Sequence, residues 1–333
     1  MHNANSISRW LGIALLAGAA CTGCEFIVLD PDWIGTGNPP GSPTGGGVGG
    51  STDPGQDPGT GGTGGASSAS SVVSTGGTGG GDAAQCTGPL EIADPALEAA
   101  LREAAGKPTG PLYPDDFTSL DYVDASNRGI ESLSGLECLN TLPNLNLDHN
   151  LVTDLTPLSS FTELRFLGAE DNLITDVGPL SSLVQLEQLS LHVNAISDVT
   201  PLASLTNLSY LSLSVNPITD VSPLGGLVKL DQLYLAQTSV ATLAPLSGLS
   251  ALTVLVASDA EITDISALST MTHLRWVSLG NNRILDLSPL VSNPGIGPGD
   301  SVFVYGNPIE CTSQSFNIAA LRTRGIELGI YCE

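Results

Sequence analysis

The sequence predicts an α/β solenoid with a curved parallel β-sheet on its concave face and 3₁₀ or irregular segments on its convex side. A helical N-terminal cap and a disulfide-closed C-terminal cap complete it. Three observations carry this expectation. A line of 22 residues returns seven times between Leu142 and Leu290. Within each line apolar residues keep fixed places, LxxLxLxxNxIxDLxPL, so a short LxL strand alternates with a turn and a proline-opened segment. The flanking stretches have helical spacing instead, as the open ends of a stack require. One such unit can bury its leucines only against its neighbours, so stability arrives with the array.

The lines run LPNLNLDHNLVTDLTPLSSFTE, LRFLGAEDNLITDVGPLSSLVQ, LEQLSLHVNAISDVTPLASLTN and LSYLSLSVNPITDVSPLGGLVK, weaken through LDQLYLAQTSVATLAPLSGLSA and LTVLVASDAEITDISALSTMTH, and recover in LRWVSLGNNRILDLSPL. This is a leucine-rich repeat, and in length and wording it resembles the bacterial internalin type. The resemblance covers roughly residues 90–333. It implies a non-enzymatic platform that binds partners on its concave face, because internalin-like proteins do so. A worn repeat, LDYVDASNRGIESLSGL, precedes the clear ones, with Arg128 in the place of Asn. A last one, SVFVYGNPIEC, is displaced by three residues after NPGIGPGD.

Two ladders recur. Asn150, Asn172, Asn194, Asn216, Asn282 and Asn307 stand at the turn after each strand, where an amide can serve buried backbone donors and acceptors together. Thr238 and Ala260 interrupt this ladder, which predicts a local weak point. Asp154, Asp176, Asp198, Asp220, Asp264 and Asp286 form the second ladder, expected to cap 3₁₀ turns. A calcium ladder would need more oxygens around each ion.

Before the repeats the chain changes character twice. WLGIALLAGAA is apolar yet too short to span a bilayer, so residues 1–23 are expected to be a lipoprotein signal peptide. The ending AACTGCEF resembles the lipobox of bacterial lipoproteins. Lipidation at Cys24 is favoured over Cys21, since it leaves an even set: Cys86, Cys138, Cys311 and Cys332. Simple secretion without lipid is the alternative. Residues 24–84 are a Gly/Ser/Pro-rich, disordered tether with too few apolar groups to fold. Residues 85–119 are expected to form the helical N-terminal cap, opened by Asp94 before Pro95, with a second short helix beginning at Pro114 and carrying Phe117. The repeats occupy 120–310 and the C-terminal cap 311–333, where Phe316, Ile318 and Leu321 give an apolar helix pattern. Cys311 and Cys332 flank that tail and are expected to pair, a closure of roughly 3 kcal/mol. Cys86 with Cys138 would tie the N-terminal cap to the first turns. Four cysteines nonetheless allow three connectivities.

With the leucines inward, the outward strand positions fall into columns about 4.8 Å apart per rung. They place Tyr122, Phe166, His192, Tyr210, Tyr234, Val254, Val256, Trp276, Phe303 and Tyr305 on the candidate ligand-binding face. The run from Tyr210 to Trp276, with Phe303 and Tyr305 beyond, is an aromatic patch of the kind that anchors interfaces. Exposed strands also favour such residues on their own account. Asp148, Glu170, Asp171, His149 and His192 form a polar, titratable region. Glu170, His192 and Ser214 fall in Ser-His-acid order, a remote hydrolase-like alternative that an open sheet without an oxyanion hole does not support. His149, Asp171 and His192 are a weak metal constellation; no metal site, cofactor or catalytic residue is expected.

The formal charge of −24 opposes binding to nucleic acid and to anionic lipid surfaces. The expected protein is therefore a monomer of the cell envelope, held to a bacterial membrane by its lipid alone, on the surface or the periplasmic side. Its expected activity is binding a protein, peptide or glycan through the concave sheet. A structural spacer with no specific ligand is the alternative.

Overall fold

In a computed structural model of the chain, residues 88–331 are described. The expected signal peptide, the expected lipidation cysteines Cys21 and Cys24, the expected tether, and the expected disulfide partners Cys86 and Cys332 lie outside these residues.

Among the described residues ten strands form one sheet in strict sequence order. They are β1 (Val123–Asp124), β2 (Asn144–Asn146), β3 (Phe166–Gly168), β4 (Gln188–Ser190), β5 (Tyr210–Ser212), β6 (Gln232–Tyr234), β7 (Val254–Val256), β8 (Trp276–Ser278), β9 (Ser301–Phe303) and β10 (Glu327–Gly329). Every neighbouring pair is parallel, and the central leucines stack in register: Leu145 on Leu167, Leu167 on Leu189, Leu189 on Leu211. The inward side chains merge into a single apolar cluster running from Leu97 to Ile326. No side chain of that cluster could be buried by one repeat alone, which is why the array is the folding unit.

Both ladders have the expected chemistry. Asn172 Oδ1 accepts the Val152 N–H at 3.0 Å from the preceding repeat, while its Nδ2 donates to Leu147 O at 2.9 Å. Asn150, Asn194, Asn216, Asn282 and Asn307 repeat the acceptor bond to Ile130, Ile174, Ile196, Ile262 and Ile284. Each amide thus satisfies a buried donor and a buried acceptor across two turns. Thr238 supplies only the donor half, Oγ1 to Leu235 O at 2.8 Å, and the Ile218 N–H turns to Asn216 O instead. Ala260 supplies neither. Ala260→Asn should therefore raise the denaturation midpoint by about 1–2 kcal/mol of stability. An unchanged or lowered midpoint would sink this account of the ladder.

The Asp column caps the convex turns. Asp154, Asp176, Asp198, Asp220, Asp264 and Asp286 accept from the N–H two residues on, at 2.7–2.9 Å. The turns they open are 3₁₀ helices such as Thr156–Leu158, Gly178–Ser182 and Thr200–Ser204. Where the column lapses, Thr242 Oγ1 accepts the Ala244 N–H at 3.1 Å and fills the same role. The last of these convex segments differs: Ser288–Ser292 winds as α-helix.

A third periodic feature has no residue-type signature. The residue just before the ladder Asn is left-handed in repeat after repeat: His149, Asp171, Val193, Val215, Gln237, Asp259 and Asn281 all have φ between 49° and 57°. The β-branched Val193 and Val215 carry a penalty of about 1–2 kcal/mol there. Stacking overrides it, because each of these residues donates its N–H to the next turn, as Val193 does to Ser214 O and Val215 to Ala236 O.

At the N-terminal end α1 (Pro95–Ala104) buries Leu97, Ala100 and Leu101 against the sheet beside β1. Pro114–Phe117 is a 3₁₀ turn with Phe117 buried. At the other end α3 (Ser315–Thr323), which follows α2 (Ser288–Ser292), buries Ile318 and Leu321. Phe316, expected inward with them, is instead 79% exposed; it falls on the opposite side of the helix from the Ile318–Leu321 stripe. The tail also contains a strand that helical spacing could not announce: β10 continues the sheet beyond β9, with Leu328 beside Val302. Arg324 ties this tail to the insertion by donating to Asn293 O at 2.7 Å and to Val291 O.

Candidate functional site

The sheet face away from the leucine core presents the outward residues in the expected columns. Registers run Asn144, Phe166, Gln188, Tyr210, Gln232, Val254, Trp276 and Ser301 in one column, and Asn146, Gly168, Ser190, Ser212, Tyr234, Val256, Ser278 and Phe303 in the next. The three-residue displacement after the insertion is real, since Trp276 pairs with Ser301. It is held by fully buried Asn293, which donates to Leu268 O at 2.6 Å and Met271 O at 2.9 Å.

Two aromatic pairs form on this face. Tyr210 and Tyr234 lie 5.5 Å apart between centroids, and Trp276 and Phe303 lie 5.0 Å apart, both tilted. Val254 and Val256 occupy the strand between them. All six side chains are half-buried, so they combine accessible apolar area with fixed geometry. Burial, with Tyr234 nearby, pushes the Tyr210 phenol up to about 12. Burial likewise raises Tyr234, whose hydroxyl donates to Gln232 Oε1 at 3.1 Å. Tyr305 continues the apolar run: its ring lies over Gly280, where an added Cβ would come within 2.4 Å of it, and it meets Tyr331 at 6.4 Å. Tyr122 and Phe166 are on the same face but separate from these pairs. Tyr122 is 48% exposed beside β1, and Gln188 stands between Phe166 and Tyr210.

The titratable region occupies the β1–β4 end. Asp148 folds over the gap left by Gly168, where a Cβ would stand 2.8 Å from its Oδ1, and that oxygen accepts the Glu170 N–H at 2.8 Å. Burial pushes the Asp148 carboxyl up to about 6, with the Glu170 charge adding to the rise. His149 sets Nδ1 3.1 Å from Asp171 Oδ2 and Nε2 3.5 Å from Glu170 Oε1. His192 is lowered from the usual imidazole value chiefly by burial.

Glu170, His192 and Ser214 do share a column, but His192 bonds the Ser214 backbone and the other two side chains turn elsewhere. Glu170 turns to His149 and Ser190, and Ser214 Oγ accepts the Ala236 N–H at 3.0 Å. Among the described residues no three His, Cys, Asp or Glu side chains converge as a metal cluster. Nor is any described helix long and apolar enough to cross a membrane. Tyr331 was absent from the expected face, and the supporting part played by Gly168 and Gly280 was not anticipated. A glycine at an outward strand position signals that a neighbouring side chain folds into the space it leaves.

A leucine-rich-repeat family model, in two copies, matches residues 162–204 and 206–248. The crystal structure of internalin C2 from Listeria monocytogenes matches with 39% identity and a TM-score of 0.59, over 61% of this chain and 90% of that one. The chain belongs to the internalin-type leucine-rich-repeat family. A second Listeria monocytogenes internalin, internalin F, aligns at 26% identity over 72% of this chain and 77% of its own, with a TM-score of 0.58. A leucine-rich-repeat protein of Leptospira interrogans shares the fold at 20% identity and a TM-score of 0.55, over 65% of this chain and 62% of that one. A search of curated proteins returns no match. In this internalin-type chain the leucine, asparagine and aspartate ladders are scaffold. What distinguishes its outer face is the division into an acidic end and an aromatic end.

Proposed function

We propose that this chain is a lipid-anchored protein of the bacterial envelope whose internalin-type sheet binds a protein or peptide ligand. The observation that carries the reading is the pair of aromatic contacts, Tyr210–Tyr234 and Trp276–Phe303, on an otherwise open face. Solenoids of this kind commonly use one extended face for protein binding, and clustered aromatics are the usual anchors of such interfaces. Tyr234 stands in the repeat where Thr238 interrupts the Asn ladder, and Val254 and Val256, between the pairs, stand in that of Ala260. Binding residues have thus accumulated where the scaffold is least regular. The protein works as a monomer, with no cofactor or metal and no catalytic step.

Tyr234→Ser combined with Trp276→Ser should abolish crosslinking of the full chain to its partner on intact cells. Recovery of the same crosslinked partner by the double variant would refute the reading.

Anchoring rests on the apolar run WLGIALLAGAA followed by CTGC and a glycine-rich tether. Cys24→Ser should move the protein from the membrane fraction to the soluble one. If only Cys21→Ser does so, the lipid is on Cys21; if neither does, the anchor is wrong. The pairings Cys86–Cys138 and Cys311–Cys332 belong to the same reading, since Cys138 stands in the first turns and Cys311 directly follows the last repeat.

A further inference from the structure

The outer face is polarised. No outward position of β1 to β10 carries Lys or Arg. Six of the nine described Lys and Arg residues are in ion pairs of their own: Arg102 with Glu98, Lys107 with Asp116, Arg128 with Glu103, Arg165 with Glu187, Arg275 with Asp300, and Arg283 with Glu261, while Lys229 donates to Asn207 Oδ1 and Arg324 to the Asn293 carbonyl. The β1–β3 end holds Asp124, Asp148, Glu170 and Asp171, with the His149 imidazole set against Glu170 and Asp171. The β5–β9 end has no carboxylate at its outward strand positions, which are Tyr, Trp, Phe, Val, Ser and Gln, and in the turns just after these strands only Asp259 carries one, hydrogen-bonded to Asn281 Nδ2.

From this we infer that the ligand is a polypeptide segment with Lys or Arg side chains at one end and aromatic or aliphatic ones at the other. It lies across the strands with its cationic end over β2 and β3 and its apolar end over Tyr210, Tyr234 and Trp276. The inference rests on the reading that this face binds a protein or peptide, and it names that partner's chemistry.

Three considerations carry it. The carboxylates at the β1–β3 end repel one another, and Glu170 and Asp171 meet only the His149 imidazole in an ion-pair contact, so a cation brought by a partner gains attraction without breaking a Lys or Arg ion pair. That gain is larger at Asp148 because the site is partly desolvated. The apolar end offers ring faces, methyl groups and neutral polar groups but no carboxylate at its outward strand positions, so a cation placed there would lose hydration for a smaller return than at the acidic end. Scale fits as well. β3 and β8 are five rungs apart, about 24 Å, which about seven extended residues span. A neutral glycan would use the aromatic end alone and leave the acidic end without a role, and a polyanion would be repelled by it.

The test is to pan a displayed library of random peptides of about twelve residues against the immobilised full chain. The selected pool should be enriched in Lys or Arg toward one terminus and in aromatic or aliphatic residues toward the other. A peptide from that pool should lose roughly tenfold in affinity against the Asp148→Asn, Glu170→Gln double variant. It should lose a similar factor when salt rises from about 0.05 to 0.5 M. A pool without basic enrichment, or one with no binders, overturns the inference, as does binding indifferent to the double variant. Loss of binding on Tyr234→Ser alone would leave the face a binding surface and remove only its cationic preference. Indifference to both sets of substitutions would remove the binding reading itself.

Discussion

Asp94→Ala should cost this protein roughly 3–5 kcal/mol, a loss large for a single surface-proximal side chain. The carboxylate does two jobs. Oδ1 accepts from Ala96 N at 2.8 Å and Leu97 N at 3.1 Å, capping α1. Oδ2 accepts from Glu131 N at 2.8 Å and Ser132 N at 3.1 Å, in the first turn of the solenoid. Losing an N-cap alone costs about 0.5–2 kcal/mol, and each further N–H left without an acceptor, part-buried in both cases, adds about 1 kcal/mol or more. Asp94 is the one residue that both starts the helix and fastens it to the repeats.

Asp94→Asn separates those jobs. An amide keeps one acceptor oxygen and turns the other position into a donor facing N–H groups, so its loss should fall between wild type and Asp94→Ala. Burial by itself would raise the Asp94 carboxyl, but the Glu131, Ser132, Leu97 and Ala96 N–H groups outweigh it and hold it below its ordinary 3.8. The sign follows. The contribution is complete above pH 3.8 and disappears as pH falls below it, so the two proteins should converge in strong acid. Urea denaturation with hydrogen exchange on Leu97–Leu101 measures both points. A loss under about 1 kcal/mol, or α1 amides as protected as in wild type, would show that the helix is held by its leucines alone.

The anchor also shows what was legible in the sequence. The Asp-Pro start of α1 is a local signal, because capping is decided within three residues. The second pair of bonds joins positions 94 and 131, and no spacing rule encodes it. The same division holds along the chain. Leucine period, Asn ladder, Asp caps and strand columns repeat at one interval, and repetition lets each position be tested against its equivalents. The displaced register after NPGIGPGD was readable for that reason, since Val302, Val304, Asn307 and Ile309 resume the pattern. β10 was not: Glu327–Gly329 is three residues long, belongs to no repeat, and follows a helix whose spacing dominated the tail. Phe316 misled because in a short amphipathic helix an end residue can belong to either side.

The left-handed turn was hidden for another reason. Its place is held by Asn, His, Asp, Val and Gln in different repeats, so stacking imposes the conformation and no residue type announces it. At the candidate face, identity and column were legible. The contacts were not, because they depend on which side chain folds over which gap: Asp148 over Gly168, Tyr305 over Gly280. Both glycines are outward positions where a repeat consensus has no opinion.

Asp148 is where these strands meet, and Asp148→Asn should stabilise the protein at pH 7.5 by about 1–3 kcal/mol. In the folded chain burial, with the Glu170 charge, raises its carboxyl from 3.8 to about 6, which corresponds to about 3 kcal/mol as an upper bound. A raised carboxylate means that folding favours the neutral form. Its stability is therefore fully present below pH 3.8 and lost as pH rises through about 6. Wild type should gain stability as pH falls from 7.5 towards 4, while Asp148→Asn, neutral throughout and still able to accept the Glu170 N–H, should lack that rise. The two curves should meet near pH 4. Parallel curves, or a variant less stable at pH 7.5, would mean that the hydrogen bond to Glu170 outweighs the desolvated charge. Scaffold needs do not explain a carboxylate in this place, since Ser214, Ser258 and Gly280 fill the same column elsewhere. Asp148 Oδ1 takes the Glu170 N–H as Ser214 Oγ takes the Ala236 N–H, so the scaffold needs an acceptor here but not its charge, and on the proposed reading that charge serves what approaches the face. The substitution that strengthens the fold should accordingly weaken capture of a cationic peptide, and measuring both in one variant separates a binding residue from a packing accident.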